Sequence, residues 1–244
     1  MLRFYMVVRG FIRLIAFSFM FFGAKLTAAP LVFVLPHFPP FAYLDQGIVR
    51  GIAVDKVVPV LEALELDYQL TLVPNYGRAL EEVKQGRAVG FFLASENAQR
   101  NKVARFSQPV MLNNWSWFYR ADLKEIATPA PDFSAGVTIG TIPHTNTGYW
   151  LKKHNYQYQV DGIDNLLKLT FEQQWLDAIF VAEKVFLTAA KKHGLENSRY
   201  RQTIALSKPF GIYISKAFLA SSPGFLSRLN RQIAKQTGVQ GPLP

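Results

Sequence analysis

Arg100 is the side chain of this chain best placed to fix a small anion. It follows an apolar run, Ala88 to Ala94, that reads as a strand, and then a short polar turn. A guanidinium presents paired N–H donors that fork a carboxylate, which a lysine ammonium cannot do. Strand carboxyl ends and helix N-termini are also where backbone dipoles can face a cleft. Thr145, Asn146 and Thr147 precede a helical stretch. Such residues cap helices and leave backbone N–H groups pointing outward, so capping alone and capping with ligand contact are both open. His144 beside them could report pH or touch a ligand, but a lone histidine does not make a metal site. Phe38 and Tyr76 sit in loops flanked by turn residues, off any core periodicity, and suit the walls of such a site. In a chain with 20 Phe and 10 Tyr, packing explains either one equally well. Glu183 follows the run Leu176 to Val181 by one further residue, Ala182. Neighbours on a strand face opposite ways, so Glu183 reaches the place of Ala182 only if the strand ends or bends there.

The elements that must carry these groups alternate in two similar stretches, apolar strand-like runs with amphipathic helical ones, as α/β layers with mostly parallel strands require. The first predicts strands at Leu31–Leu35, Tyr68–Val73 and Ala88–Ala94, with helices at Lys56–Leu66 and Arg78–Gln85, the latter ended by Gly86. Pro59 falls inside the first of these helices and should mark its first turn or a kink. The second predicts strands at Val137–Gly140, Gln157–Val160 and Leu176–Val181, with helices at Gly148–His154, Asn165–Gln173 and Glu183–His193. Asp122 to Ser134, with Pro129 and Pro131, reads as surface connection. The β-prone runs Trp115–Arg120 and Gly211–Ser215 are the candidate crossings between the two parts, and a last helix, Pro223–Thr237, ends at Gly238. Two crossings make the first part discontinuous. The expected organisation is a leader at 1–28, a first lobe at 29–116, a second at 117–210, and a return to the first at 211–244.

The leader reads as an export signal. Arg3, Arg9 and Arg13 give a basic start, Leu14 to Phe22 a short apolar stretch, and Leu26, Thr27 and Ala28 a small-residue cleavage site. Arg13 cuts the apolar run well below the roughly 20 residues of a membrane span. The expected location is therefore the periplasm. Four of the ten net positive charges, Arg3, Arg9, Arg13 and Lys25, lie in this leader, leaving six that are spread along the chain. No basic run suggests a nucleic-acid groove, and a modest bias toward anionic or zwitterionic ligands remains. With no cysteine, disulfides, thiolate metal sites and cysteine nucleophiles are excluded. The remaining chain is long enough to bury one large core or two smaller ones.

Several segments, in order, resemble the bacterial extracellular solute-binding proteins of family 3, the receptors of polar amino acid ABC importers. Leu31 to Tyr43 (LVFVLPHFPPFAY) is similar to that family's first strand and "PPF" turn, and Gly51 to Asp55 (GIAVD) to "GFDVD". Asn75 to Gly86 (NYGRALEEVKQG) resembles the segment with an aromatic, an arginine and spaced leucines, and Gln99 to Pro109 (QRNKVARFSQP) resembles "ERAKVVDFSDP". Val137–Thr147, Asp177–Val181 (DAIFV) and Pro209–Lys216 (PFGIYISK) match more loosely. The resemblance implies a hinged, two-lobed, type II periplasmic-binding-protein-like α/β fold with a ligand cleft between the lobes. It places Arg100 and the hydroxyl and N–H of Ser95 on a ligand carboxylate, and Phe38 and Tyr76 as aromatic walls. The family's ammonium-binding aspartate has its counterpart at Ala182, which leaves Glu183 as the only adjacent acid.

The resulting expectation is a monomeric periplasmic receptor, not an enzyme, that closes on an amino acid or related small carboxylate. No cofactor, metal or nucleic acid is called for. Its partner would be an ABC permease or, alternatively, a membrane sensor. Some proteins of this fold, such as cyclohexadienyl dehydratase, are hydro-lyases, and in such a reading Glu183 or Glu96 would act as general acid or base. No clustered acid pair, triad or H-E-x-x-H spacing accompanies them.

Overall fold

The computed structural model describes residues 29–123 and 136–238. The expected export signal, most of the Asp122–Ser134 connection and the last residues of the tail lie outside these. Ten strands form: β1 Leu31–Pro36, β2 Tyr43–Asp45, β3 Ile48–Arg50, β4 Tyr68–Val73, β5 Gly90–Ala94, β6 Ala104–Arg120, β7 Ile139–Thr141, β8 Tyr158–Val160, β9 Ala178–Ala182 and β10 Tyr200–Ser215. The helices are α1 Ile52–Glu62, α2 Tyr76–Lys84, α3 Ala98–Val103, α4 Asn146–Lys153, α5 Ile163–Phe171, α6 Glu183–Lys192, α7 Lys216–Ser221 and α8 Phe225–Thr237. None of the described helices is long and apolar enough to cross a membrane.

One sheet of eight strands runs β4-β1-β5-β10-β6-β9-β7-β8, while β2 and β3 form a separate hairpin. β1 pairs in parallel with β4 and β5, and β7 in parallel with β8 and β9. These are the two halves anticipated from the alternating pattern. β5 and β9 are buried along their whole length, which is why GFFLA and AIFVA are continuous apolar runs rather than alternating ones. Gly90 of β5 has no side chain because a Cβ there would collide with the main-chain oxygen of Tyr213 on the neighbouring strand.

The two halves are joined by β6 and β10, which pair antiparallel from Tyr200↔Arg120 to Ser215↔Ala104. β5 pairs with β10 over Gly211–Ile214, and β9 pairs with β6 over Trp115–Tyr119. Met111–Asn114 and Ser207–Phe210 lie between these two patches and pair only with each other among the described strands. A two-stranded ribbon therefore links two lobes, each with its own core. Phe33, Leu35, Val57, Phe91, Ile212 and Leu229 belong to the first core. On the second lobe, Phe118, Ile179 and Phe186 pack on one face of the sheet, and Trp117, Ile139 and Phe180 on the other. Stacked pairs anchor both faces, Phe118 on Phe186 at 3.7 Å and Trp117 on Phe180 at 4.2 Å, each worth about 1 kcal/mol beyond area burial.

Three local expectations differ. α1 begins at Ile52, so Pro59 falls in its interior, on the exposed face where water can satisfy the carbonyl that loses its N–H partner. β6 begins at Ala104, well before the expected crossing, and β10 at Tyr200. The short polar turn expected before Arg100 is present at 95–97, but Arg100 itself lies within a short capped helix, α3.

Candidate functional site

Arg100 is fixed by the way β5 ends. After the buried strand, Ser95 and Glu96 turn the chain, and the side chain of Asn97 caps α3 by accepting from the Arg100 N–H at 2.8 Å. That cap directs the Arg100 side chain back under the strand end. Its Nη1 donates to the Ser95 carbonyl at 2.7 Å, and the guanidinium lies 4.7 Å from the centre of the Tyr76 ring. Arg100 is 4% exposed, and among the described residues no carboxylate lies within ion-pair reach of it. Burial lowers its pKa, partly offset by the hydroxyls of Tyr76, Tyr213 and Tyr149. An arginine still stays protonated in this setting. A permanent charge is thus buried with one carbonyl and two rings, Tyr76 and, at 5.9 Å, Phe91, for company. The Ser95 hydroxyl beside it is also buried and has no hydrogen-bond partner among the described residues.

Both groups line a cavity of about 20 Å³ at the seam of the lobes. Aromatic rings wall it. Phe38 meets Tyr76 edge-on at 5.5 Å and stacks on Phe41 at 5.8 Å, and Phe41 in turn meets Phe210 at 5.2 Å. The Tyr76 hydroxyl donates to the Leu93 carbonyl at 2.5 Å, which locks the ring, and burial raises its pKa far above the ordinary tyrosine value. Trp115 and Asn113 of β6, with Phe210 of β10, bring the ribbon and its end into the lining.

The second lobe contributes Thr145, Asn146, Thr147 and Ala182. Thr145 is the N-cap of α4 but makes no side-chain cap bond, so the first N–H groups of that helix are left for another acceptor. Its hydroxyl instead donates to the Ile142 carbonyl at 2.6 Å, and the Thr141 hydroxyl donates to the Phe180 carbonyl at 2.8 Å. Thr147 Oγ1 sits 2.9 Å from Thr141 Oγ1 and 2.8 Å from Thr145 Oγ1. With the other two protons directed to carbonyls, Thr147 can donate to either neighbour or into the cavity, and Thr141 and Thr145 present lone pairs.

Asn146 closes the seam. Its Oδ1 accepts from Asn97 Nδ2 at 2.6 Å, while its Nδ2 donates to the carbonyls of Ser95 at 3.0 Å and Glu96 at 3.2 Å. A second contact lies at Gly77, where a Cβ would stand 3.1 Å from the ring of His144. His144 itself is exposed, with φ of 60°.

The structure therefore gathers Phe38, Tyr76, Ser95, Arg100, Thr145, Asn146 and Thr147 around one cavity and leaves Glu183 out of its lining. β9 does end at Ala182, but Glu183 opens α6 and turns toward the ribbon side. Its Oε2 accepts from Asn114 Nδ2 at 2.9 Å and its Oε1 from Gln202 Nε2 at 2.6 Å. Glu96 is exposed and accepts from Asn101. Among the described residues no cluster of His, Cys, Asp and Glu could hold a metal ion. Asn113, Trp115, Phe210 and Ala182 join the lining without having been singled out as binding residues, the first two flagged only by polar Asn113–Asn114 within an aromatic β-prone run.

The model of the bacterial extracellular solute-binding proteins, family 3, matches residues 31–240. Among solved structures, the GluR0 ligand-binding core from Nostoc punctiforme in complex with L-glutamate aligns at TM-score 0.69 with 18% identity, covering 86% of this chain and 94% of the other. Holo ArgBP from T. maritima aligns at 0.66 with 17% identity over 84% and 89%. The ancestral amino acid-binding protein AncCDT-1, a precursor of cyclohexadienyl dehydratase, aligns at 0.67 with 17% identity over 85% and 90%. At these identities the likeness is one of fold. A search of curated proteins returned no match.

Proposed function

Because the chain belongs to the bacterial extracellular solute-binding proteins, family 3, we propose that it is a periplasmic receptor whose lobes close on a small carboxylate anchored by Arg100. The observation that carries this reading is the buried guanidinium, 4% exposed, facing an inter-lobe cavity without a carboxylate partner among the described residues. A buried charge left unpaired costs several kcal/mol, and a bound anion removes that cost. The Ser95 hydroxyl and the uncapped N-terminus of α4 supply further donors from the two sides of the seam. Phe38, Tyr76, Trp115 and Phe210 then exclude water and grip the rest of the ligand.

A ligand that touches Arg100 on one lobe and α4 on the other interacts with both only when they meet, so it shifts the population toward closure. The ribbon of Met111–Asn114 and Ser207–Phe210 serves as the hinge, since it is bound laterally by neither lobe's strands. The closed monomer is what a membrane partner reads, a permease complex or a sensor. In this reading the protein is a receptor and not an enzyme: the lining has an anchor for charge and, among the described residues, no acid to move a proton.

Calorimetric titration with small carboxylates and their amides tests this. The acids should bind and the amides, which lack the charge, should bind at least a hundredfold more weakly. Scattering should show the closed form gaining population with the acid. Equal affinity for acids and amides would remove Arg100 as the anchor.

A further inference from the structure

Within that cavity the sign of every charge can be counted, and this deepens the proposed reading to a ligand class. Arg100 is the one charged side chain in the described lining, and no Asp or Glu lines it. The nearest acid in sequence to the second-lobe wall, Glu183, has both oxygens engaged by Asn114 and Gln202. A simple carboxylate therefore brings the buried site to zero net charge. A zwitterion adds an ammonium that faces a guanidinium with no carboxylate in the described lining to balance it, and leaves the site at one positive charge among largely buried groups.

The polar groups that remain are neutral, and their polarity is specific. Thr141 and Thr145 direct their protons to the Phe180 and Ile142 carbonyls and offer lone pairs, while Thr147 and the uncapped N–H groups of α4 can donate. The Asn146 amide is fully engaged across the seam. A group placed beside α4 meets neutral donors and acceptors and, in the described lining, no carboxylate; a hydroxyl, donor and acceptor at once, satisfies both, whereas an ammonium only donates and brings a charge. We infer that the ligand is a small hydroxycarboxylate, free of ammonium, with its carboxylate on Arg100 and Ser95 and its hydroxyl on the threonine chain. The inference rests on the receptor reading above.

Matched pairs that differ only in hydroxyl against ammonium test it on the wild-type protein: glycolate with glycine, lactate with alanine, and 2-hydroxyisocaproate with leucine, titrated by calorimetry at pH 7 beside lactamide. The hydroxy acid of the best-fitting size should bind at least tenfold more tightly than its amino counterpart. If the amino acid binds as tightly or more tightly while lactamide stays weak, the ammonium-free class is wrong and the carboxylate anchor stands. If no acid of either kind binds, or lactamide matches lactate, the receptor reading falls with it.

Discussion

Replacing Arg100 by Met should stabilise the protein and at the same time abolish its response to a carboxylate. Methionine fills a comparable volume with a flexible apolar chain, so the change removes charge more than packing. In the absence of ligand the guanidinium gains a charged hydrogen bond to the Ser95 carbonyl, about 1.5–3 kcal/mol, and a contact with the Tyr76 ring, about 0.5–2 kcal/mol. Against these stands the removal of a full charge from water at 4% exposure, several kcal/mol even after relaxation. Little new is lost on the other side, because the Ser95 carbonyl keeps its bond from Asn146. The balance is a net gain of about 1–2 kcal/mol on substitution. For a chain of this size that is a rise in melting temperature of roughly 2–8 °C. Ligand affinity should fall by about 2–5 kcal/mol, a loss of some 30- to 5,000-fold, because the carboxylate would be buried without its charged partner. Differential scanning fluorimetry with and without lactate, followed by calorimetry, reads both quantities. A lower melting temperature for Arg100→Met together with an intact lactate shift would refute the reasoning, since that is how an arginine that merely holds the fold behaves.

Glu183→Gln should cost about 1–3 kcal/mol of stability, because an amide NH₂ then confronts the NH₂ of Asn114 or Gln202; ligand affinity, measured by calorimetry, should move by less than about threefold. Gly77→Val presses a branched side chain against His144 across the seam. It should leave the melting temperature of the unliganded protein within about 3 °C while lowering affinity roughly tenfold, and scattering should show a more open average shape. In acid, Asp164 is held below the usual carboxylate range first by its bond to His193 and then by Lys192, Glu82 by Arg87 and Arg78, and Glu81 by Gln85 and Lys84. The stability these carboxylates contribute is present above their unfolded pKa values, near pH 4, and is lost as pH falls through their lowered folded values. Asp164→Asn should therefore lower the melting temperature at pH 7 and leave it unchanged near pH 2.

Much of the fold is legible because β1, β5 and β9 are largely buried and stand out as apolar runs, while β4, at the sheet edge, keeps a β-prone alternation. Tyr68–Val73 is found at the expected bounds, and β1, β5, β8 and β9 within two residues. The long strands resist such reading. Pro109 and Pro209 interrupt β6 and β10, and Asn113, Asn114 and Ser207 break their apolar pattern, yet their backbones pair across the whole molecule. That pairing is decided by contacts between segments some hundred residues apart, which no local window contains. The hairpin of β2 and β3 was missed for the opposite reason: three-residue strands are too short to show a period, although Gln46 and Gly47, both at positive φ, carry the turn signal. For α2 the start at Tyr76, two residues before the expected Arg78, was available in the sequence, because Asn75 caps it by accepting from the Arg78 N–H.

The site divides along the same line. Arg100 is legible as a cation after a buried strand, and Thr145–Thr147 as a helix start, because both follow from chain-local geometry. What suits Arg100 to the proposed role is that no acid among the described residues meets it, and that is a property of the assembled lobes. Glu183 shows the limit most sharply. The condition set for it was that the strand end at Ala182, and the strand does end there, with Ala182 at φ −59°, ψ 128° as the N-cap of α6. A helix that starts immediately after a strand swings its first side chain away from the cavity and into reach of Asn114 and Gln202, which the β6–β10 register has brought to that side. The acid is thereby spent on the ribbon next to the proposed hinge, the wall at Ala182 stays uncharged, and Arg100, the one buried cation among the described residues, is left for a ligand to neutralise. Bracing of the ribbon and selection for an anion without an ammonium group are, on this account, two consequences of the same turn.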